Sequence, residues 1–393
     1  MNKILYIGDF MFPEGEAYST RALYFCRIFR ELGIDVFVVG HGDNREKDAT
    51  SNGFEYSEIQ YSNIKSHSRN LKNRVFNYFN KSKEIDIIIK NLYQQQKFDA
   101  IFVGASFRKY MNPISSLTRQ YNIPIIIDAV EWFDPSNLPL GIFGPFYWDV
   151  NKSIKSDFVK AGNIICISSF FEDYYKNKGC NTIRVPTITD SSDEKWIDKT
   201  ENSNEKLIIA YFGSPGKKDY ISNVIVGFAL NKEHLDKIEL RIYGPSKEQV
   251  NSLLGAKSYV LDKLGTSIKI YGRLSYENVI NEIHKVDFTV LLRPNKRYAN
   301  AGFPTKFAES LMAGVPVLTN LTSDLNLYVK DGFEGIIVKD CTPKAFSNAL
   351  DKALTYNKIK LNEMKQYSRQ TAVNSFDYRI YIPIVKDFFA QLK

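Results

Sequence analysis

Short apolar runs alternate with helix-period stretches along nearly the whole chain. Residues 4–7, 36–39, 100–103, 125–128, 164–167 and 184–187 read as buried strands in the first half. Residues 207–212, 239–243, 268–271, 288–292, 317–319 and 335–338 read the same way in the second. Strands apolar on both faces, separated by helix-length patterns, predict parallel βαβ units and therefore an α/β fold. The stretch TDSSDEKWIDKTENSNEK, residues 189–206, is polar and lacks an apolar period, which predicts an interdomain linker. The expected organisation is a first Rossmann-like domain over 1–190, a linker over 191–206, a second Rossmann-like domain over 207–375 and a C-terminal helix over 376–393. A chain of 393 residues is long enough for two such cores.

Composition narrows the partners. A net charge of +8 favours anionic ligands, with nucleotide diphosphates, lipid phosphates and nucleic acid all open on charge alone. No nucleic-acid-binding motif appears, so nucleic acid is not expected. No apolar run approaches the roughly 20 residues of a membrane span. The opening MNKILYIGDF reads as a strand leading into a turn, not as a charged leader, and cytoplasmic residence is expected. Cys26, Cys166, Cys180 and Cys341 lack metal-type spacing and read as buried or incidental thiols.

The candidate chemistry concentrates in NAGFPTKFAESLMAGVPVLTN, residues 300–320. Gly302 and Phe303 lead into Pro304, which pre-sets a first helical turn. Thr305 and Lys306 then stand where backbone N–H groups and the positive helix end would face a phosphate. Glu309 follows about one turn later, where a carboxylate can accept sugar hydroxyls near that cation. Ala313 and Gly314 end the helix before a buried strand. On these residues alone, a well-capped Rossmann helix with a solvated lysine fits as well.

At these residues the chain resembles the family-4 retaining glycosyltransferases, of the kind found in surface polysaccharide biosynthesis. The resemblance implies the GT-B fold, in which two Rossmann-like domains face across a cleft. The family signature places two glutamates eight positions apart; Glu309 with AGVPVL matches the second, and Ala301 stands where the first would be. Ribose binding therefore carries over to Glu309, and the sugar contact of the first glutamate does not. Other matches fall in family order. The loop with Gly15 resembles the glycine loop on the acceptor side; Arg21 beyond it reads either as a phosphate contact or as a solvated first-turn arginine. Gly213, with Lys217 or Lys218, matches the glycine and lysine that grip the donor diphosphate, although a lysine-rich surface turn is also open. Gly244 ends a strand beneath the nucleotide, Arg273 borders the base, and Arg293 could add a further cation at the diphosphate.

The resemblance frays at PIIIDAVEWFDP, where Asp128 and Glu131 are retained but Val130 replaces the family's histidine. Among the histidines only His41, after the second strand, has a route to replace it. Asp128 and Glu131 are candidates to orient or deprotonate an acceptor hydroxyl, with a capping Asp and a structural Glu-Trp pair as the other reading. Two features bear on the acceptor. Residues 65–83 are basic without acid and carry aromatics, which suits an anionic membrane surface but also a solvated helix face. LPLGIFGPFYW, residues 138–148, suits a lid under a lipid tail or a buried loop. The resemblance implies a metal-independent hexosyltransferase with no cofactor, in which cations and helix N–H groups stabilise the leaving diphosphate, and no Asp-x-Asp metal site stands out in the sequence. Such an enzyme would move a sugar from a nucleoside diphosphate sugar to a carbohydrate acceptor such as a lipid-linked oligosaccharide, in the cytoplasm or peripherally on the inner membrane face. A nucleotide-sugar epimerase of the same fold and a catalytically silent GT-B binding partner remain the alternatives.

Overall fold

The computed structural model describes residues 1–13, 15, 17–41, 49–50, 53–56, 59–64, 71–104, 108–138, 140–197, 205–214 and 218–393. The chain divides into two compact units: Met1–Thr189 with Tyr378–Lys393, and Asp190–Asp377.

In the first unit the strands are β1 (Lys3–Met11), β2 (Asp35–His41), β3 (Ala49–Thr50), β4 (Gly53–Tyr56), β5 (Ile59–Ile64), β6 (Ala100–Gly104), β7 (Ile125–Ala129), β8 (Asn163–Cys166) and β9 (Asn181–Arg184). They form one sheet in the order β3-β4-β5-β2-β1-β6-β7-β8-β9. The pairings from β5 to β9 are parallel, and β3, β4 and β5 pair antiparallel at one edge. Ile4 to Ile7 are fully buried, as expected of a strand covered by helices on both faces. Tyr6, Phe25, Phe29 and Phe102 fill the adjoining core.

In the second unit β10 (Leu207–Phe212), β11 (Ile238–Tyr243), β12 (Ile268–Gly272), β13 (Phe288–Leu291), β14 (Val317–Thr319) and β15 (Gly335–Ile337) form an all-parallel sheet in the order β12-β11-β10-β13-β14-β15. Each sheet therefore reverses direction beside its first long strand, between β1 and β6 and between β10 and β13. In open parallel sheets that reversal leaves a crevice outside the carboxyl ends of the two strands, where ligands bind.

The structure corrects three readings. Residues 184–187 are not a strand: β9 ends at Arg184. Val185 is buried like a strand residue, but Pro186 offers no N–H to extend the ladder. The polar stretch from residue 191 is not a free linker over its first part. Trp196 is buried, and its Nε1 donates to Asp190 O at 2.9 Å. Arg369 donates to Ser191 O at 2.7 Å, so this piece is packed into the second unit; residues 198–204 lie outside the described residues. The last segment is not one helix from 376. The helix Lys358–Phe376 ends at Asp377, which accepts from Ser191 N at 2.9 Å, and a separate helix, Tyr381–Phe389, follows in the first unit. Among the described residues no helix is long and apolar enough to cross a membrane.

Candidate functional site

In the second unit, the carboxyl ends of three neighbouring strands finish in glycines. Gly213 N donates to Tyr243 O at 3.0 Å and Gly244 N donates to Gly272 O at 2.6 Å, so the backbones step across the sheet edge in close register. Gly213 and Gly244 have φ of 124° and 120°, which L side chains rarely adopt. A methyl group on Gly244 would collide with the Gly213 carbonyl, and one on Gly213 would collide with Lys306 Cε. The missing side chain at 213 is what lets Lys306 lean over the end of β10.

Lys306 lies in the first turn of the helix Thr305–Met312. Pro304 occupies the N-cap position in extended conformation and no side chain caps the helix start. Lys306 Nζ donates to Asp219 Oδ2 at 2.5 Å and to Tyr211 OH at 3.0 Å. Arg293, which follows β13, donates from Nε to Asp219 Oδ1 at 2.8 Å, and Tyr211 OH donates to Asp219 Oδ2 at 2.9 Å. The Arg293 backbone is pinned on both sides by Asn320, which accepts from its N–H at 2.9 Å and donates to its carbonyl at 2.7 Å. Asp219 thus gathers cations from the segment that follows β13 and from the helix Thr305–Met312 beyond it. Burial alone would raise its carboxyl, but Lys306 and then Arg293 outweigh that and hold it at about 2. Burial, with Arg293 adding, pulls the neighbouring Lys218 ammonium down to about 8.

Glu309, one turn beyond Lys306, is half-buried and accepts from Tyr276 OH at 3.1 Å. Burial pushes its carboxyl up to about 7, against the pull of Tyr276, Lys195 and Lys306. A carboxylate kept short of hydrogen-bond donors in this way has capacity for ligand hydroxyls. Lys195 is positioned from the former linker, where its carbonyl lies 2.9 Å from His284 Nε2.

The structure brings Gly213, Lys218, Gly244, Arg293, Pro304, Thr305, Lys306 and Glu309 to this carboxyl-end region. Gly302 also lies there, its carbonyl accepting from Ser323 Oγ at 2.6 Å. Arg273 is exposed just beyond β12. Phe303 is not a ligand-facing residue: it is buried in an aromatic cluster with Phe307, Tyr328 and Phe376, because its ring completes the core beneath the loop. Lys217 lies outside the described residues. Asp219, Tyr211 and Tyr276 were missed. Asp219 directly follows the flagged lysine pair, but nothing in a linear reading pairs it with residues 74 and 87 positions away.

In the first unit the expectation for Asp128 fails. The residue is 2% exposed at the end of β7. Its two oxygens accept from Arg21 Nε at 2.9 Å and Arg21 Nη2 at 2.7 Å, and Oδ2 also accepts from Tyr18 OH at 2.5 Å. Arg21 is buried as well, and donates onward to the carbonyls of Pro186 and Val185 at 2.6 and 3.0 Å. Arg21 is therefore neither a phosphate contact nor solvated, and Asp128 is a structural anchor. A buried guanidinium requires a bidentate carboxylate, and Asp128 supplies it. Glu131, half-buried beyond β7, is not part of that pair. Gly15, with φ 135°, sits in the exposed turn after β1. At the β1/β6 reversal, Asp9 takes Lys109 Nζ at 2.8 Å and Tyr110 OH at 3.2 Å, and His41 Nε2 lies 3.9 Å away. Residues 65–70 of the basic run lie outside the described residues, and the rest of it falls in the helix Leu71–Gln95.

Residues 192–371, just under half of the chain and nearly all of the second unit, match the family model described as Glycosyl transferases group 1. An uncharacterized glycosyltransferase of Methanocaldococcus jannaschii is 21% identical over 216 residues, and the match spans about half the length of each protein, 52% of both. Sucrose-phosphate synthase from Thermosynechococcus elongatus superposes with a TM-score of 0.73 at 13% identity, over 100% of this chain and 99% of that one. Anabaena HepE, solved in complex with UDP and glucose, gives a TM-score of 0.67 at 11% identity over 100% of both chains. These likenesses establish the two-domain α/β GT-B fold, and the match to the group 1 glycosyltransferase model falls on the second unit.

Proposed function

We propose that this chain, supported as a group 1 glycosyltransferase by its second unit and its fold, is a retaining hexosyltransferase of the family-4 type that works without a metal. It takes a sugar from a nucleoside diphosphate donor and passes it to a carbohydrate acceptor, a lipid-linked intermediate of a surface polysaccharide. The observation that carries the reading is the convergence of Lys306, Arg293 and Lys218 around Asp219 at the β10/β13 reversal, one helical turn from Glu309.

Three cations face one carboxylate in that cluster, which leaves positive charge for the donor diphosphate. Asp219 keeps Lys306 and Arg293 close together before ligand arrives, so little reorganisation is needed when phosphate oxygens join them. As the bond between the sugar and the diphosphate breaks, negative charge grows on the leaving oxygens and these cations stabilise it. Glu309 accepts from the ribose hydroxyls and fixes the nucleotide's register. Retention follows when the acceptor hydroxyl attacks from the face the leaving group departs, with a leaving phosphate oxygen taking its proton. Glu131 orients that hydroxyl; Asp128 does not take part. The Anabaena relative was solved with UDP-glucose, which makes UDP-sugars the first donors to test.

Calorimetric titration with a panel of nucleotide sugars in excess EDTA tests this. Lys306→Ala and Glu309→Ala should each weaken binding roughly tenfold to a hundredfold, the worth of a charge-assisted hydrogen bond. Unchanged affinity in both variants would remove the donor-site assignment. Transfer that appears only with added magnesium or manganese would overturn metal independence.

A further inference from the structure

Four large apolar side chains stand in water within nine residues of the first unit. Leu140 is 75% exposed, Ile142 50%, Phe143 84% and Trp148 64%. Single exposed apolar residues are ordinary, but a contiguous group of this size marks a contact surface. Leu140 also holds a left-handed backbone, φ 61°, at the start of the turn Gly141–Phe143. That conformation costs a branched residue and here turns the side chain outward, not into the core.

The helix Pro145–Lys152 follows, continuing through a wider turn over Ser153–Asp157. Asp149, Val150, Asn151, Ser153 and Ile154 are buried against the unit. Pro145, Trp148, Lys152 and Lys155 are exposed, at the spacing of a single helix face. The apolar group thus runs directly into two lysines, with an indole at the junction.

We infer that residues 140–155 form a wedge that docks on an anionic lipid bilayer, with Leu140, Ile142 and Phe143 entering the headgroup boundary, Trp148 at that boundary and Lys152 and Lys155 on the lipid phosphates. Three observations favour this occupant. The chain carries a net charge of +8. Trp followed by lysines on one helix face matches an interface whose depth is apolar and whose rim is anionic. A second copy using the same face would bring Lys152 and Lys155 against their own equivalents, and that repulsion disfavours a two-fold contact. Exposure and charge define this surface, apart from the donor site.

Tryptophan fluorescence isolates the contact. The chain has three tryptophans, and Trp132 and Trp196 are each 3% exposed, so Trp148 alone can meet a quencher in a membrane. The 393-residue chain, without nucleotide or acceptor, is mixed with phosphatidylcholine vesicles containing about one-third phosphatidylglycerol and brominated acyl chains. Expected are cosedimentation that weakens at high salt, a blue shift and quenching of Trp148. Leu140→Ser with Phe143→Ser should weaken binding at least about tenfold while the near-UV spectrum stays native, since both positions are solvent-exposed. Equal binding to neutral vesicles, an unquenched Trp148, or undiminished binding by the double variant would overturn the proposal. So would a stable dimer in solution that shields Trp148. With no nucleotide present, failure here leaves the donor-site reading untouched, and failure of donor binding leaves this one untouched.

Discussion

Donor affinity should trace a bell against pH, with Glu309 setting the acid limb and Lys218 the alkaline one. Burial pushes the Glu309 carboxyl up to about 7, and burial helped by Arg293 pulls the Lys218 ammonium down to about 8. The ionised carboxylate is the better acceptor for ribose hydroxyls, and the protonated ammonium is the form that attracts diphosphate. Affinity should therefore rise as pH climbs towards 7 and fall above 8, each limb approaching roughly tenfold per pH unit. Glu309→Gln should flatten the acid limb and lower affinity near neutrality about tenfold to a hundredfold. Lys218→Gln should flatten only the alkaline limb. Calorimetry with a nucleotide sugar is the assay, because its esterified diphosphate has no ionisation of its own near neutrality. The same carboxyl carries a stability claim of opposite sign. Its folded value, about 7, lies above the ordinary 4.5, so its contribution is fully present below 4.5 and is lost as pH rises through 7. The gap corresponds to at most about 3 kcal/mol, and solvent reaching this half-buried group reduces that. Glu309→Gln should then be more stable than the parent at alkaline pH while binding donor less tightly. An acid limb that persists unchanged in Glu309→Gln would refute the reasoning.

Other consequences can be checked by mutation. Asp219 is held at about 2 against an ordinary 3.8, so the stability it confers is present above 3.8 and lost as pH falls through 2; that is worth about 2 kcal/mol. Asp219→Asn should lower the midpoint of thermal unfolding at neutral pH and leave little difference near pH 2. Gly213→Ala should displace Lys306 and strain a backbone at φ 124°, costing about 1–3 kcal/mol in chemical denaturation along with donor affinity; an alanine variant that binds donor normally would contradict the close approach. Asp128→Asn should destabilise the protein by roughly 3–5 kcal/mol in urea melts, since it strands a buried arginine, with turnover per folded molecule unchanged. Lost turnover at unchanged stability would return Asp128 to the chemistry.

Much of the architecture was legible because it depends on local pattern. Parallel strands buried on both faces are continuous apolar runs, and eleven of the twelve expected ones coincide with observed strands to within a few residues. The exception, 184–187, misled because Val185 is buried beside β9 while Pro186 cannot join its ladder. The antiparallel edge of β3, β4 and β5 escaped because those short strands carry no apolar run, and their pairing rests on β5 lying beside β2. The helix Thr305–Met312 was read from its proline and closing glycine, signals that act within a few residues.

Charge pairing is different, because it is set by distances the linear order does not contain. DAVE looked like a pair of acids at an open strand end; in the folded unit Arg21, 107 positions earlier, closes on Asp128 and removes it from reach. Asp219, unremarkable in sequence, becomes the centre of the cation cluster once β10 and β13 lie side by side. Phe303 shares a motif with Lys306, yet the loop ahead of the helix packs its ring into the core while Lys306, in the first helical turn, reaches the strand ends. The sequence by itself determined where most strands and helices arise, since those follow from neighbouring residues. Only the tertiary structure decided which charges are neutralised, which are raised or lowered by burial, and which remain for a ligand, because burial and Coulomb attraction act through space.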